Sequence, residues 1–144
     1  MSDPEHRLVV KKLFEGLNGR NVDILDRLLT PNFVWHGNND QGRDEYKQDV
    51  NAVIAAFPDA KWDIDEILSK EDKVVVRWSF SGTQRNAWGG VPASGKHVTY
   101  GGITIFRLKE AKIAEVWNNE NLLSLYRQIG IQISLPKKKK WWRM

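Results

Sequence analysis

At Phe57-Pro58-Asp59 the hydrophobic pattern of this chain changes its period, and that switch decides the fold class. Before it, apolar residues recur every three or four positions, as on one face of a helix. After it they alternate, as on one face of a strand. Helices gathered in the first third, followed by strands, predict an α+β protein with its helices against one face of a curved antiparallel sheet.

The helical third reads as three pieces. Asp3 is placed to cap the first helix and Pro4 to occupy its first turn. Val10, Leu13, Phe14 and Leu17 form the buried stripe, and Asn18-Gly19 ends it. A short second helix starts at Asn21, buries Val22, Leu25, Leu28 and Leu29, and stops at Thr30-Pro31, because a residue before proline is pushed out of helical geometry. "NFVWHG" (32–37) is a brief extended piece. A third helix over 42–56 carries Tyr46, Val50, Val53 and Ile54 on one side.

Four strands follow. In 61–70, Trp62 and Ile64 oppose Asp63 and Asp65. In 73–82, Val74, Val76, Trp78 and Phe80 share a face opposite Val75, Arg77 and Ser79. A glycine-rich connection leads to a strand over 97–108, and "KEAK" turns into another over 113–118. A short helix from Leu122 to Gln128 ends at Gly130 as a left-handed cap. A curved sheet over helices encloses a concave, mostly apolar hollow suited to a small molecule.

Charge and composition exclude several function classes. The formal net charge is +4, but Lys137, Lys138, Lys139, Lys140 and Arg143 lie in the last eight residues. The preceding 136 residues carry 17 basic and 18 acidic side chains. A near-neutral body does not suit a nucleic-acid-binding fold. We therefore divide the chain into a domain over 1–134 and a basic, aromatic tail over 135–144. Four lysines and two tryptophans in that tail could touch an anionic membrane, although a solvated end is the expected reading. The chain has no cysteine, which fits a reducing compartment and a cytoplasmic location. No secretory leader is expected from "MSDPEHRLVV". Metal-ligand spacings, a phosphate-binding loop, a dinucleotide fingerprint and a serine nucleophile elbow are all missing, so no metal and no cofactor are expected.

Five short marks in order carry a resemblance: Phe57-Pro58-Asp59, Gly82-Thr83, Val91-Pro92 with Gly95-Lys96, Lys112-Ile113 with Glu115 and Trp117, and Gln128-Ile129-Gly130. Over residues 7–130 the chain resembles the SnoaL-like polyketide cyclases (ester cyclases), within the nuclear-transport-factor-2-like superfamily. The resemblance implies a cone-shaped sheet wrapped around three N-terminal helices, a cofactor-free pocket, a homodimer, and often aldol ring closure on a polyketide. It also implies a general acid/base aspartate four residues after the tryptophan of the last strand. That position is Asn121 here. An amide has no usable basicity, although it can donate a hydrogen bond to a developing enolate oxygen.

The candidate catalytic residues are therefore His36, Asn121 and Glu120. His36 has an ordinary pKa of about 6.5 and stands where such relatives often carry histidine. Glu120 is the substitute acid, expected to need a bulge at Asn118-Asn119 to face inward if Asn121 does. Trp35, Tyr46, Trp88, Tyr100 and Trp117 are candidate substrate-binding walls, although Tyr46 could simply pack. His97 is expected at a rim, and Arg77 on the solvated face of the sheet. The expected activity is proton transfer on a hydrophobic carbonyl compound, ending in cyclisation, isomerisation or dehydration. The alternative is a non-catalytic, dimeric domain that binds a hydrophobic ligand.

Overall fold

The computed structural model describes residues 2–37, 39–132 and 134. The tail from residue 135 lies outside the described residues, so the membrane contact expected of it stays an expectation. Helix α1 (Asp3–Asn18) is capped by Ser2 and not by Asp3. Ser2 has extended backbone geometry and its hydroxyl accepts from the Glu5 N–H at 3.3 Å. Val10, Leu13, Phe14 and Leu17 of α1 are buried as their spacing requires. A 3-10 turn (Val22–Ile24) runs into a single helical turn, α2 (Leu25–Leu28).

Leu29 does not belong to that helix; it opens strand β1 (Leu29–His36). Pro31 lies inside this strand, which is tolerable because β1 is the outermost strand of its sheet. Helix α3 (Arg43–Ala56) follows, then β2 (Lys61–Lys70), β3 (Lys73–Thr83), β4 (His97–Lys109), β5 (Lys112–Glu120) and α4 (Leu122–Gln128). The sheet order is β1-β5-β4-β3-β2. Strands β2 to β5 form an antiparallel meander, and β1 joins β5 in parallel. The expected antiparallel sheet is thus extended by one parallel edge, reached through the long crossover that contains α3.

A register shift between Ile64 and Glu66 keeps Ile67 on the same side as Ile64. Val74, Val76, Trp78 and Phe80 face the helices and are buried. Arg77 faces outward, with ion pairs to Asp65 at 3.5 Å and Glu66 at 3.6 Å.

The period switch is anchored from both sides. Arg20, in left-handed geometry at φ 61°, donates to the carbonyls of Pro58 at 2.9 Å and Ala60 at 2.7 Å. The Asp59 carboxylate accepts from the Thr83 N–H at 2.6 Å and the Thr83 hydroxyl at 2.8 Å. Those bonds, the backbone one foremost, hold its pKa below the ordinary value. Gly82 allows the approach: a Cβ there would stand 3.1 Å from Phe57 Cβ. Two of the sequence marks, Phe57-Pro58-Asp59 and Gly82-Thr83, are therefore one physical junction.

Candidate functional site

Between the inner face of the sheet and helices α1 and α3 lies a cavity of about 260 Å³, just under the ~300–1,000 Å³ typical of ligand pockets. Helix α3 turns Tyr46, Asp49 and Val53 toward it, one helical turn apart. Strand β5 contributes Val116, Asn118 and Glu120 at alternate positions. Trp35, Trp62, Trp78, Trp88, Tyr100 and Tyr126 make most of the remaining wall. Their rings brace one another edge to face: Trp35 on Tyr46 at 5.5 Å and Trp78 on Tyr100 at 5.8 Å between centroids.

Trp88 sits in the loop between β3 and β4, where it tilts against Tyr126 at 5.7 Å and packs on Phe57. Gln84 organises that loop. It is fully buried, donates to the Val91 carbonyl at 3.3 Å and accepts from the Ser94 N–H at 3.1 Å. Tyr126 is placed by α4, and beyond its last residue, Gln128, the Gly130 (φ 96°) N–H donates to the Arg127 carbonyl and the Ile131 N–H to the Tyr126 carbonyl.

A directed hydrogen-bond chain crosses three strands, from the buried Trp78 to the cavity rim, where Asn118 is exposed and Glu120 half-buried. The Trp78 indole N–H donates to the Thr104 hydroxyl at 3.0 Å, which donates to Asn118 Oδ1 at 2.5 Å. The Asn118 amide then donates to Glu120 Oε2 at 3.0 Å. Its polarity is decided at the start, because an indole N–H can only donate. Each following group is thereby oriented, and Glu120 accepts a hydrogen bond on Oε2.

Burial raises the Glu120 pKa above its ordinary value; the nearby Asp49 charge adds to this, and the Asn118 bond opposes it. Asp49 is exposed as a residue and stands at the cavity mouth, yet burial raises the pKa of its carboxyl too. The Tyr46 and Tyr100 phenols are raised, first by burial and then by these two carboxylates. Among the described residues no lysine, arginine or histidine lines the cavity, and no group of three or more metal-ligating side chains forms.

Of the sequence candidates, Glu120, Trp35, Tyr46, Trp88 and Tyr100 meet at this cavity. His36, Trp117 and Asn121 do not. Regular alternation places Val116, Asn118 and Glu120 inside, so Trp117 points outward and Glu120 reaches the cavity without the expected bulge. Asn121 is exposed and caps α4, accepting from the Ser124 N–H at 3.2 Å. His36 lies on the outer face, stacked on Trp117 at 4.8 Å. It bonds Glu115 at 2.7 Å and Asp40 at 3.2 Å, and Glu115 also pairs with Arg107 at 2.6 Å. His36 lines an outer basin that meets the cavity at Trp35, Asn118 and Glu120. His97 is exposed at the start of β4, 3.1 Å from the Thr83 hydroxyl.

A family model described as SnoaL-like polyketide cyclase matches residues 7–129. The chain belongs to that family. Solved structures agree on the α+β fold. TsrD from Streptomyces laurentii is 25% identical, with a TM-score of 0.83 over 90% of this chain and 98% of TsrD. AclR, a candidate hydroxylase from Streptomyces galilaeus, is 21% identical, with a TM-score of 0.85 over 94% and 91%. IdmH from Streptomyces antibioticus, a candidate polyketide cyclase, is 22% identical, with a TM-score of 0.78 over 88% and 99%. A search of curated proteins returned no match.

Within this SnoaL-like frame the sequence candidates omit Asp49 and Thr104, and Asn118 is expected only as part of a polar stretch at the cavity floor, without a role of its own. Asp49 carried a signal: it stands three residues after Tyr46 and four before Val53, an acid inside an apolar helical stripe.

Proposed function

We propose that this SnoaL-like protein is a cofactor-independent enzyme that moves a proton on a hydrophobic carbonyl compound, with Glu120 as the general acid/base. The observation that carries this reading is the chain from Trp78 through Thr104 and Asn118 to the desolvated Glu120 carboxyl. A carboxylate whose pKa is lifted by burial is a better base near neutral pH than one in water. The Tyr46 and Tyr100 hydroxyls, on the same walls, would donate to the enolate oxygen that forms as the proton leaves. Trp35 and Trp88 would hold the flat part of the substrate. The outcome follows the fate of the enolate: attack on a second carbonyl closes a ring, reprotonation at another carbon isomerises, and expulsion of a β-hydroxyl, protonated as it leaves, dehydrates. His36 and Asn121 take no part in this chemistry.

The test is proton exchange at the α-carbon of 2-tetralone in deuterated buffer, followed by NMR. The wild-type protein should accelerate exchange above the buffer rate, and Glu120→Gln should remove roughly 10²–10⁴-fold of that acceleration. Equal exchange by the two proteins would end the proposal.

We also propose a cytoplasmic homodimer formed through the outer face of the sheet. Leu68, Ile103 and Trp117 are exposed there at 60%, 49% and 36%. Sedimentation should show a dimer that Ile103→Lys converts to monomer. Among the described residues no helix is long and apolar enough to cross a membrane.

A further inference from the structure

We infer that the ligand of this cavity carries a basic nitrogen and binds as an organic cation, held between Asp49 and Glu120 against the indole and phenol rings. The inference rests on the cavity being the ligand site, and not on proton transfer at Glu120.

Three observations converge on it. The first is composition: four tryptophans and three tyrosines line one cavity of about 260 Å³. Indole and phenol faces are electron-rich, so such a wall attracts a desolvated cation and offers an anion nothing comparable. The second is charge. The formally charged lining residues, among those described, are Asp49 and Glu120, and no cationic side chain of the wall offsets them. Two carboxyls facing one partly enclosed, largely apolar cavity repel one another, and both have raised pKa values without a cationic partner. A ligand bearing one positive charge supplies that partner, whereas a carboxylate or phosphate ligand would add a third negative charge.

The third observation is the state of the hydroxyls. Tyr46 is half-buried in the cavity wall, and its pKa is raised first by burial and then by the two acids. Tyr46 lines the cavity, and its hydroxyl oxygen can accept from an ammonium N–H. Across the cavity, Glu120 already receives the Asn118 amide on Oε2. Its other oxygen is the one available to an N⁺–H donor, and such charge-assisted bonds are the stronger kind. At the mouth, Asp49 would meet the cation first.

These groups also define the pH behaviour. The titratable side chains facing the cavity are Asp49, Glu120, Tyr46, Tyr100 and Tyr126. A bound cation favours the ionised form of each carboxyl, so their raised pKa values should fall on binding.

The experiment compares three probes of the same shape: tryptamine, its alcohol analogue tryptophol, and indole-3-propionate. Binding to the full chain is measured by isothermal titration calorimetry across pH 4 to 7, at each pH in two buffers of different ionisation enthalpy, and proton release is sought across that range. Tryptamine should bind at least tenfold tighter than tryptophol, with indole-3-propionate weakest. Proton release should accompany tryptamine and not tryptophol. Asp49→Asn should cut the preference for tryptamine over tryptophol at least fivefold, and thermal melting checks that this variant is folded. Glu120→Gln provides a second, independent reduction. Tryptophol binding as tightly as tryptamine overturns the inference, as does a preference that survives both substitutions or the absence of tryptamine binding at millimolar concentration. None of these results depends on turnover. Proton exchange with 2-tetralone could fail while tryptamine binds, and the reverse outcome would leave the Glu120 proposal standing.

Discussion

Gly102 of β4 lies opposite Glu120 of β5, and a Cβ built on it would stand 3.0 Å from Glu120 Cβ and 2.6 Å from Trp78 Cζ2. The missing side chain is what lets the first and last members of the hydrogen-bond chain sit over the same strand. The Asn119 carbonyl oxygen, 2.8 Å from the same point, is backbone and cannot swing away. Gly102→Ala should therefore push Trp78 and Glu120 apart, destabilising the protein by about 1–3 kcal/mol as other overpacked sites do. Urea denaturation measures the loss, and tryptophan fluorescence reports the displaced indole.

Thr104 is the middle of that chain, and its hydroxyl both accepts from Trp78 and donates to Asn118. Thr104→Val keeps the shape and removes both bonds. The Trp78 N–H is then buried without a partner, at a cost of about 1–3 kcal/mol. Asn118 also loses the contact that fixes its amide, so its bond to Glu120 loosens. Because that bond lowers the Glu120 pKa, the pKa should rise further in this variant. Titration of ¹³C-labelled glutamate by NMR checks the direction.

The two cavity acids should make the fold less stable as pH rises. Each has a folded-state pKa above its ordinary value. The native state therefore holds protons that the unfolded chain has already released, and stability falls as pH climbs from the ordinary carboxyl range to the raised values. Glu120→Gln and Asp49→Asn should each be more stable than wild type at pH 7. The difference should vanish once the pH falls below the ordinary carboxyl value. Thermal melts at pH 3.5 and pH 7 compare the two conditions. A loss of activity accompanying the gain in stability would be the ordinary trade at a working site.

On the outer face the signs reverse. The His36 pKa is raised above 6.5, chiefly by its bond to Glu115, and the Glu115 pKa is lowered, chiefly by its bond to His36. The histidine contribution is complete below its unfolded pKa and disappears as pH rises through the folded value. The glutamate contribution is present above its unfolded pKa and disappears as pH falls through the folded value. Their pair is intact between the lowered Glu115 pKa and the raised His36 pKa. Both groups are close to solvent, so the effect on stability is small. An NMR titration should place His36 above 6.5, and Glu115→Gln should bring it back down. His36→Asn should leave proton exchange at the cavity within about twofold of wild type, an expected result that follows from its place outside the cavity wall.

The architecture was legible because it depends on periods. The change at Phe57-Pro58-Asp59 divided helices from strands, and alternation along 73–82 assigned the inner face correctly. The edge strand was underestimated because Pro31 argues against a strand until one knows that it lies on the outermost position. The site was harder to read, since a slip of a single residue exchanges the two faces of a strand. Counting from Trp117 puts Asn121 inward, whereas counting from Val116 puts Asn118 and Glu120 there. Nothing in the residues from 116 to 121 says which of two apolar neighbours faces the helices; the pairing of β5 between β1 and β4 decides it. Thr104 could not have been found from sequence, because its role depends on Trp78 and Asn118 lying on adjacent strands.

Asn121 offers the sharpest separation between position in sequence and position in space. Its side chain accepts from the Ser124 N–H at the start of α4, a helix of seven residues, and it is exposed. Aspartate caps a helix about as well as asparagine and adds a favourable charge at the N-terminus. Asn121→Asp should therefore keep the melting temperature within a degree or two. It should also leave the rate of 2-tetralone exchange within about twofold, because the new carboxylate would face solvent and not the cavity. Asn121→Ala should cost about 0.5–2 kcal/mol through the lost cap. Glu120→Gln, one residue away, should do the opposite on both counts, raising stability at neutral pH and suppressing exchange. A large rate increase in Asn121→Asp would show that this side chain reaches the substrate, and would return the acid/base role to position 121.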